Sequence, residues 1–203
     1  MNSSGIKQDR TPRGGRTRRG VVAGGLVLAL GVFAVGCGDD AATGTTPQGW
    51  GKLTTPAVSV AHPAAFKAQS DAERSKFNAA GARLTEDGRT VGTITVQLDF
   101  TNADSVEEAA IGAEAGIALG ATLKKQSDVT VKGPEEVREA KRVEFEFTSG
   151  GEDGTPAKGT RVKGVIITGL DSEKKTYAVR IDAAKGTLAA SDLDRIIESI
   201  TVK

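Results

Sequence analysis

Thiol and imidazole chemistry in this chain is confined to two residues, Cys37 and His62. A single thiol cannot close a disulfide within the chain. One Cys and one His also fall short of the four ligands that a structural zinc site takes. His62 stands before Pro63 at what reads as a strand end, and no Asp, Ser or Cys is spaced around it as a triad or metal site would need. Gly150-Gly151 has acidic neighbours and opens no helix, so it is no phosphate cradle. Glu135-Glu136 falls on a loop, and Glu144 and Glu146 on the polar side of a strand, where carboxylates are ordinarily just solvated. The reading is therefore of a non-enzyme with no catalytic residue, no metal site and no cofactor. Cys37 alone is set for chemistry. It follows the small and apolar residues Ala34-Val35-Gly36, and the polar Gly38-Asp39-Asp40 follows it, so no core segment surrounds it. A thiolate is a good nucleophile toward an alkyl donor, and the resulting thioether is durable.

The residues before Cys37 explain what that chemistry would serve. Lys7, Arg10, Arg13, Arg16, Arg18 and Arg19 face a lone Asp9, after which Val21 to Val35 carries no charge. A basic leader, a short apolar stretch and small residues at a cleavage site make an export signal. The run is too short for the ~20 apolar residues of a membrane span, and Gly24, Gly25 and Gly31 dilute it. Ala34-Val35-Gly36-Cys37 resembles the bacterial lipobox. That resemblance implies diacylglycerol on the Cys37 sulfur and cleavage between Gly36 and Cys37. Each buried methylene contributes ~0.8 kcal/mol to membrane attachment, and two chains anchor where one is marginal. Thr17-Arg18-Arg19-Gly20-Val21-Val22 resembles a twin-arginine export signal, with the general secretory route as the alternative.

Charge and composition divide the rest. Lys and Arg number 27 against 26 Asp and Glu, and the leader holds much of the positive charge, so nothing argues for nucleic acid as a partner. Residues 1–36 read as signal peptide, 37–55 as the lipidated Cys and a Gly/Thr/Ala-rich tether, and 56–203 as one folded domain. Eighteen or so residues of coil give the tether a reach of roughly 25 Å. Trp50, within it, is expected to dock on the domain.

In the domain, Ile94, Val96, Leu98 and Phe100 alternate with polar residues, as do Val143, Phe145 and Phe147, and again Tyr177, Val179, Ile181 and Ala183. This is the period of half-buried strands. Val162 to Leu170 is more continuously apolar and reads as an interior strand. Asp87-Gly88, Gly150 to Gly154 and Asp171 to Lys174 are turns between strands. Together they predict an antiparallel sheet with one wet face. Helical rhythm occurs twice. Ser105 and Glu108 have capping-box spacing ahead of a stripe of Val106, Ala110, Ala113, Ile117 and Ala121, with Lys124-Lys125 closing the helix. Ser191 opens the second helix, whose stripe is Leu193, Ile196, Ile197 and Ile200, and Thr201-Val202 ends the chain as a short strand.

Val58-Ser59-Val60-Ala61-His62-Pro63-Ala64-Ala65-Phe66 is similar to the opening strand of PsbP-like domains, and Leu193 to Val202 resembles their closing helix and strand. The likeness extends over about Pro56 to Lys203 and is nearest to LpqN-type lipoproteins of high-GC Gram-positive bacteria. It implies an α+β fold: an antiparallel sheet of six or seven strands with two helices packed on it. Such motifs are packing patterns and imply fold rather than activity. The expected protein is a lipoprotein on the extracytoplasmic face of the cell membrane, held there through Cys37 and binding an envelope or secreted protein. The alternative is a small-ligand carrier with a cavity between the sheet and the first helix. Replacing Cys37 with Ser should abolish acylation and cleavage before residue 37. Mass measurement of the mature N-terminus checks this, and an unmodified Cys37 in the wild type contradicts it.

Overall fold

A computed structural model of the chain describes residues 46–117, 119–152 and 154–203. The strands are β1 (Gly51–Thr54), β2 (Val58–His62), β3 (Lys67–Ala68), β4 (Ala80–Glu86), β5 (Arg89–Leu98), β6 (Thr122–Thr130), β7 (Glu139–Thr148), β8 (Arg161–Leu170), β9 (Thr176–Ala184) and β10 (Thr201–Val202). The helices are α1 (Val106–Ala115) and α2 (Ala190–Glu198). Seven strands form one sheet in the order β3-β4-β5-β9-β8-β7-β6, and three form a second in the order β1-β2-β10. Every named strand pairing is antiparallel, so the fold is α+β as expected.

Local chemistry accounts for most of this. Asp87 and Gly88 both have positive φ, 49° and 75°, the type I′ geometry whose twist suits a two-residue hairpin between β4 and β5. Along β5, Thr90, Gly92, Ile94 and Val96 are buried and the residues between them are not. β8 and β9 lie inside the sheet with apolar residues on both faces, which is why the Val162–Leu170 run does not alternate.

Neither face of the large sheet is simply wet. On one, Ile94, Val96, Val165, Ile167, Val179 and Ile181 share a core with Val58 and Val60 of β2 and with Ile196, Ile197 and Ile200 at the end of the chain. On the other, Val143, Phe145, Ile166 and Ala178 pack against Ala110 and Ala113 of α1. The expectation of one wet face fails because every second residue of β7 and β8 also supplies an apolar patch to the second face. Small residues let the helix close on it. A methyl at Gly164 would collide with the Phe145 ring, and one at Gly112 with Thr101.

Element boundaries shift at four places. β1 occupies Gly51–Thr54, inside the stretch read as tether, and Trp50 packs against the core beside it. α1 stops at Ala115 with Gly116 as its C-cap, so Lys124 and Lys125 do not close it; they belong to β6, the outermost strand. Gly116 and then Gly120, at φ 84°, end the helical path. Ser105 caps α1 as expected, accepting from Glu108 N, while the Glu108 carboxylate accepts from Asp104 N. α2 begins at Ala190 behind Ala189, which has no side-chain cap, so Ser191 lies in the first turn and does not cap.

Ser199 fastens α2 to the small sheet. Its Oγ accepts from Ala61 N at 2.8 Å and donates to the Ile196 carbonyl at 2.7 Å, both in buried surroundings. Removing a partner so as to leave a buried donor unsatisfied costs about 1–3 kcal/mol. Ser199→Ala should destabilise the domain by that amount, read as a lower denaturant midpoint with unchanged slope.

Candidate functional site

Strands β7, β8 and β9, with Lys124 of β6 at the rim, and the start of α2 enclose a groove of about 240 Å³ on the face of the large sheet that carries the main core. Strand register sets its floor. Glu144 of β7 lies opposite Val165 of β8, which lies opposite Ile181 of β9. One step along, Glu146 lies opposite Lys163, and Lys163 opposite Ala183. Side chains directly opposite in an antiparallel pair share a face, so this grid presents charge on β7 and apolar surface on β9. Leu188, Ala190 and Leu193 of the turn into α2 supply the far side, together with Lys185 and Asp194. The main core thins out at β7, whose Arg142, Glu144 and Glu146 are half-buried rather than buried.

The charges along β7 are engaged. Glu146 accepts from Arg161 at 3.0 Å and lies 3.5 Å from the Lys124 ammonium. The Arg161 hydrogen bond first, with the Lys124 charge behind it, holds the Glu146 carboxyl below the usual carboxylate range, against a smaller opposing effect of burial. Glu144 and the Arg142 guanidinium stand 2.9 Å apart. Glu144 and Glu146, expected as plain solvated charges, are thus ion-paired at the groove. Lys163, Lys185 and Asp194 have no ion pair among the described residues.

Between α1 and the sheet, where a ligand cavity was the alternative expectation, the middle of the helix is closely packed, while an open groove of about 570 Å³ lies at its first turn, lined by Val106 and Glu107 with Asp128 to Thr130 of β6 and Glu139 to Lys141 of β7. Ala109 and Ala110 are fully buried, and Ala113 is 5% exposed. Arg180 pins the C-terminal end of the helix. It donates to Asp182 at 2.8 Å and to the Gly116 carbonyl at 3.3 Å, and it stacks 5.0 Å from the Phe145 ring centre. Burial raises the Asp182 pKa, and the Arg180 charge works against that rise.

His62 is buried, at 4% exposure, and its Nδ1 donates to the Pro63 carbonyl at 3.0 Å. The ring lies over Gly51, its partner across the β1–β2 pair, where any side chain would collide with it. It packs against Gly51 and, with ring centroids 6.4 Å apart, against Phe66. Gly150-Gly151 turns from β7 toward β8, and Glu135–Val137 is a single 3₁₀ turn. Lys124, expected at a helix end, is instead on the groove rim. Arg18, Arg19, Ala34, Val35, Gly36 and Cys37 lie outside the described residues. Among the described residues no helix is long and apolar enough to cross a membrane, and no cluster of three His, Cys, Asp or Glu residues could hold a metal ion.

Nothing in the sequence marks Lys163, Ala183, Lys185 and Leu188 as one site. They meet only through the register of β7, β8 and β9, and the nearest signal is the apolar stripe of Leu193, Ile196, Ile197 and Ile200, of which Leu193 alone is half-buried.

No protein-family model and no curated protein matches the chain. Among solved structures, a crystal structure of a Bacteroides thetaiotaomicron protein is 12% identical and overlaps 75% of this chain and 48% of its own, with a TM-score of 0.42. This chain therefore spans about half the length of that protein. The solution structure of cyanobacterial PsbP (CyanoP) from Synechocystis is 9% identical and overlaps 82% of this chain and 99% of its own, with a TM-score of 0.48. The α+β class follows from the strand pairing and helix placement themselves.

His62→Ala should leave a cavity and cost roughly 2–3 kcal/mol. Thermal melts should show the loss, while any cellular phenotype of the gene survives at temperatures where the variant stays folded.

Proposed function

We propose that the chain is a non-catalytic binding module of the cell envelope, anchored through lipid on Cys37, and that its groove grips another protein. The size of the groove carries this reading. Pockets that enclose small molecules run to ~300–1,000 Å³, and about 240 Å³ between an open sheet face and a helix end falls below that. It accommodates one anchoring side chain. Protein interfaces concentrate their affinity in such places, where an apolar anchor enters a pocket and charged groups on the rim exclude water. Val165, Ile181, Ala183, Leu188 and Leu193 offer the apolar surface, and the Arg142–Glu144 and Lys124–Glu146 pairs offer the rim. A carrier for small ligands is the weaker reading, because three buried alanines close the middle of the α1–sheet interface and the open groove at the first turn of α1 is lined mainly by charged and polar residues, with Lys141 bridging Glu107 and Asp128.

Site-specific crosslinking in cells tests the proposal. A benzophenone side chain at Ala190, on the groove rim, should yield a discrete adduct with a second polypeptide. The rival surface is the outer side of α1, where Ile111 is 65% exposed. An adduct from position 111 with none from position 190 would move the recognition surface to α1.

A further inference from the structure

Charge around the groove does not balance, and this points to what the partner brings. Resting on the protein-binding reading above, we propose that the groove receives the C-terminal residue of a partner chain, an aliphatic side chain on its floor and the terminal carboxylate against Lys163 and Lys185. Glu146 is flanked by Arg161, Lys124 and, directly across the β7–β8 pair, Lys163. Arg161 and Lys124 hold its carboxylate, and Arg142 takes Glu144. Lys163 is left over. Lys185 lies on the same wall: Lys163 pairs with Ala183, and the next ladder bond runs from Lys185 N to the Arg161 carbonyl at 2.9 Å. The two lysines are thus diagonal neighbours, about 7–8 Å apart at the backbone. Both line the groove and neither has an ion pair among the described residues. Asp194 is the one further carboxylate on the lining, so cations remain in excess.

Spacing selects the form of the anion. The apolar floor begins at Ala183, directly opposite Lys163, and opposed side chains lie about 5 Å apart. A carboxylate and an aliphatic side chain on one α-carbon span that distance. Within an extended peptide, neighbouring side chains point to opposite faces, so an acidic residue next to an aliphatic one would carry its charge away from the lysines. A chain end carries both groups together.

Fluorescence anisotropy with the full chain in lipid nanodiscs tests this. The probes are fluorescein-labelled Gly-Ser-Gly-Ser-Gly-Leu with a free C-terminal carboxylate, the same peptide as its C-terminal amide, and a C-terminal amide with Asp two residues before the Leu. The free acid should bind about tenfold tighter than either amide. Lys163→Gln with Lys185→Gln should erase that preference while the thermal midpoint stays put. Equal affinity for acid and amide, a preference that survives the double substitution, or tighter binding of the internal Asp peptide would overturn the C-terminal assignment while leaving the Ala190 adduct, and the protein-binding reading, in place. Binding of none of the peptides, together with no adduct from position 190, would overturn both.

Discussion

The domain depends on the last residues of the chain returning to its first strands. Thr201 and Val202 pair with Ser59 and Val58, and Lys132 N donates to the Ile200 carbonyl while Val202 N donates to the Lys132 carbonyl. Behind this seam, Val58, Val60, Ile196, Ile200 and Val202 cover the large sheet, each exposed by 1% or less. Open the seam and that face loses its lid. Each buried aliphatic side chain contributes about 1.5–3 kcal/mol, so this closure outweighs any surface ion pair in the molecule, where values of about 0–1 kcal/mol are usual. Ser199 fixes one end of α2 to β2, and the other end reaches over β8 and β9. The groove lies under that reaching end.

The two faces of the large sheet solve different problems. Against α1, small residues bring backbone and sheet together: the three buried alanines on the helix, Gly112 against Thr101, and Gly164 beneath the Phe145 ring. Close packing of this kind leaves no room beneath the middle of the helix, and the groove at its first turn is open and largely charged. Under the start of α2 the sheet instead turns charged at β7, so apolar floor and ionic rim lie side by side. The proposed recognition surface lies on the less completely packed face, and the closed face supplies the rigidity that holds strand register, and with it the spacing of Lys163, Val165 and Ala183.

Strands that alternate were legible in the sequence. β5 buries every second residue from Thr90 to Val96, Val143 and Phe145 of β7 alternate with half-buried charges, β9 alternates in sequence although it is buried on both faces, and the Asp87-Gly88 turn marks its hairpin by chemistry alone. The stripe of Ile196, Ile197 and Ile200 was legible for the same reason. β6 was not: as an edge strand most of its side chains are exposed, and its Lys-Lys pair reads as easily as a helix end. β1 is too short for a period to show, and α1 ran long on paper because Ala and Gly continue to its end without a strong stop. The groove was illegible for a deeper reason. Local sequence determines which face a residue occupies, whereas the meeting of Lys163, Ala183 and Leu188 depends on non-local pairing. Cys37 is the opposite case, because its expected chemistry depends only on adjacent residues.

The central claim is that this chain works through a surface and not through a reaction. A saturation scan under conditions where the gene is required, with protein abundance measured for every variant, tests it most directly. Substitutions that keep abundance but lose function should concentrate at Cys37 and around the groove, at Lys163, Lys185, Ala190 and Leu193. Losses at His62 should follow abundance. A cluster of abundance-neutral losses at His62 and its neighbours, with the groove tolerant throughout, would contradict the account.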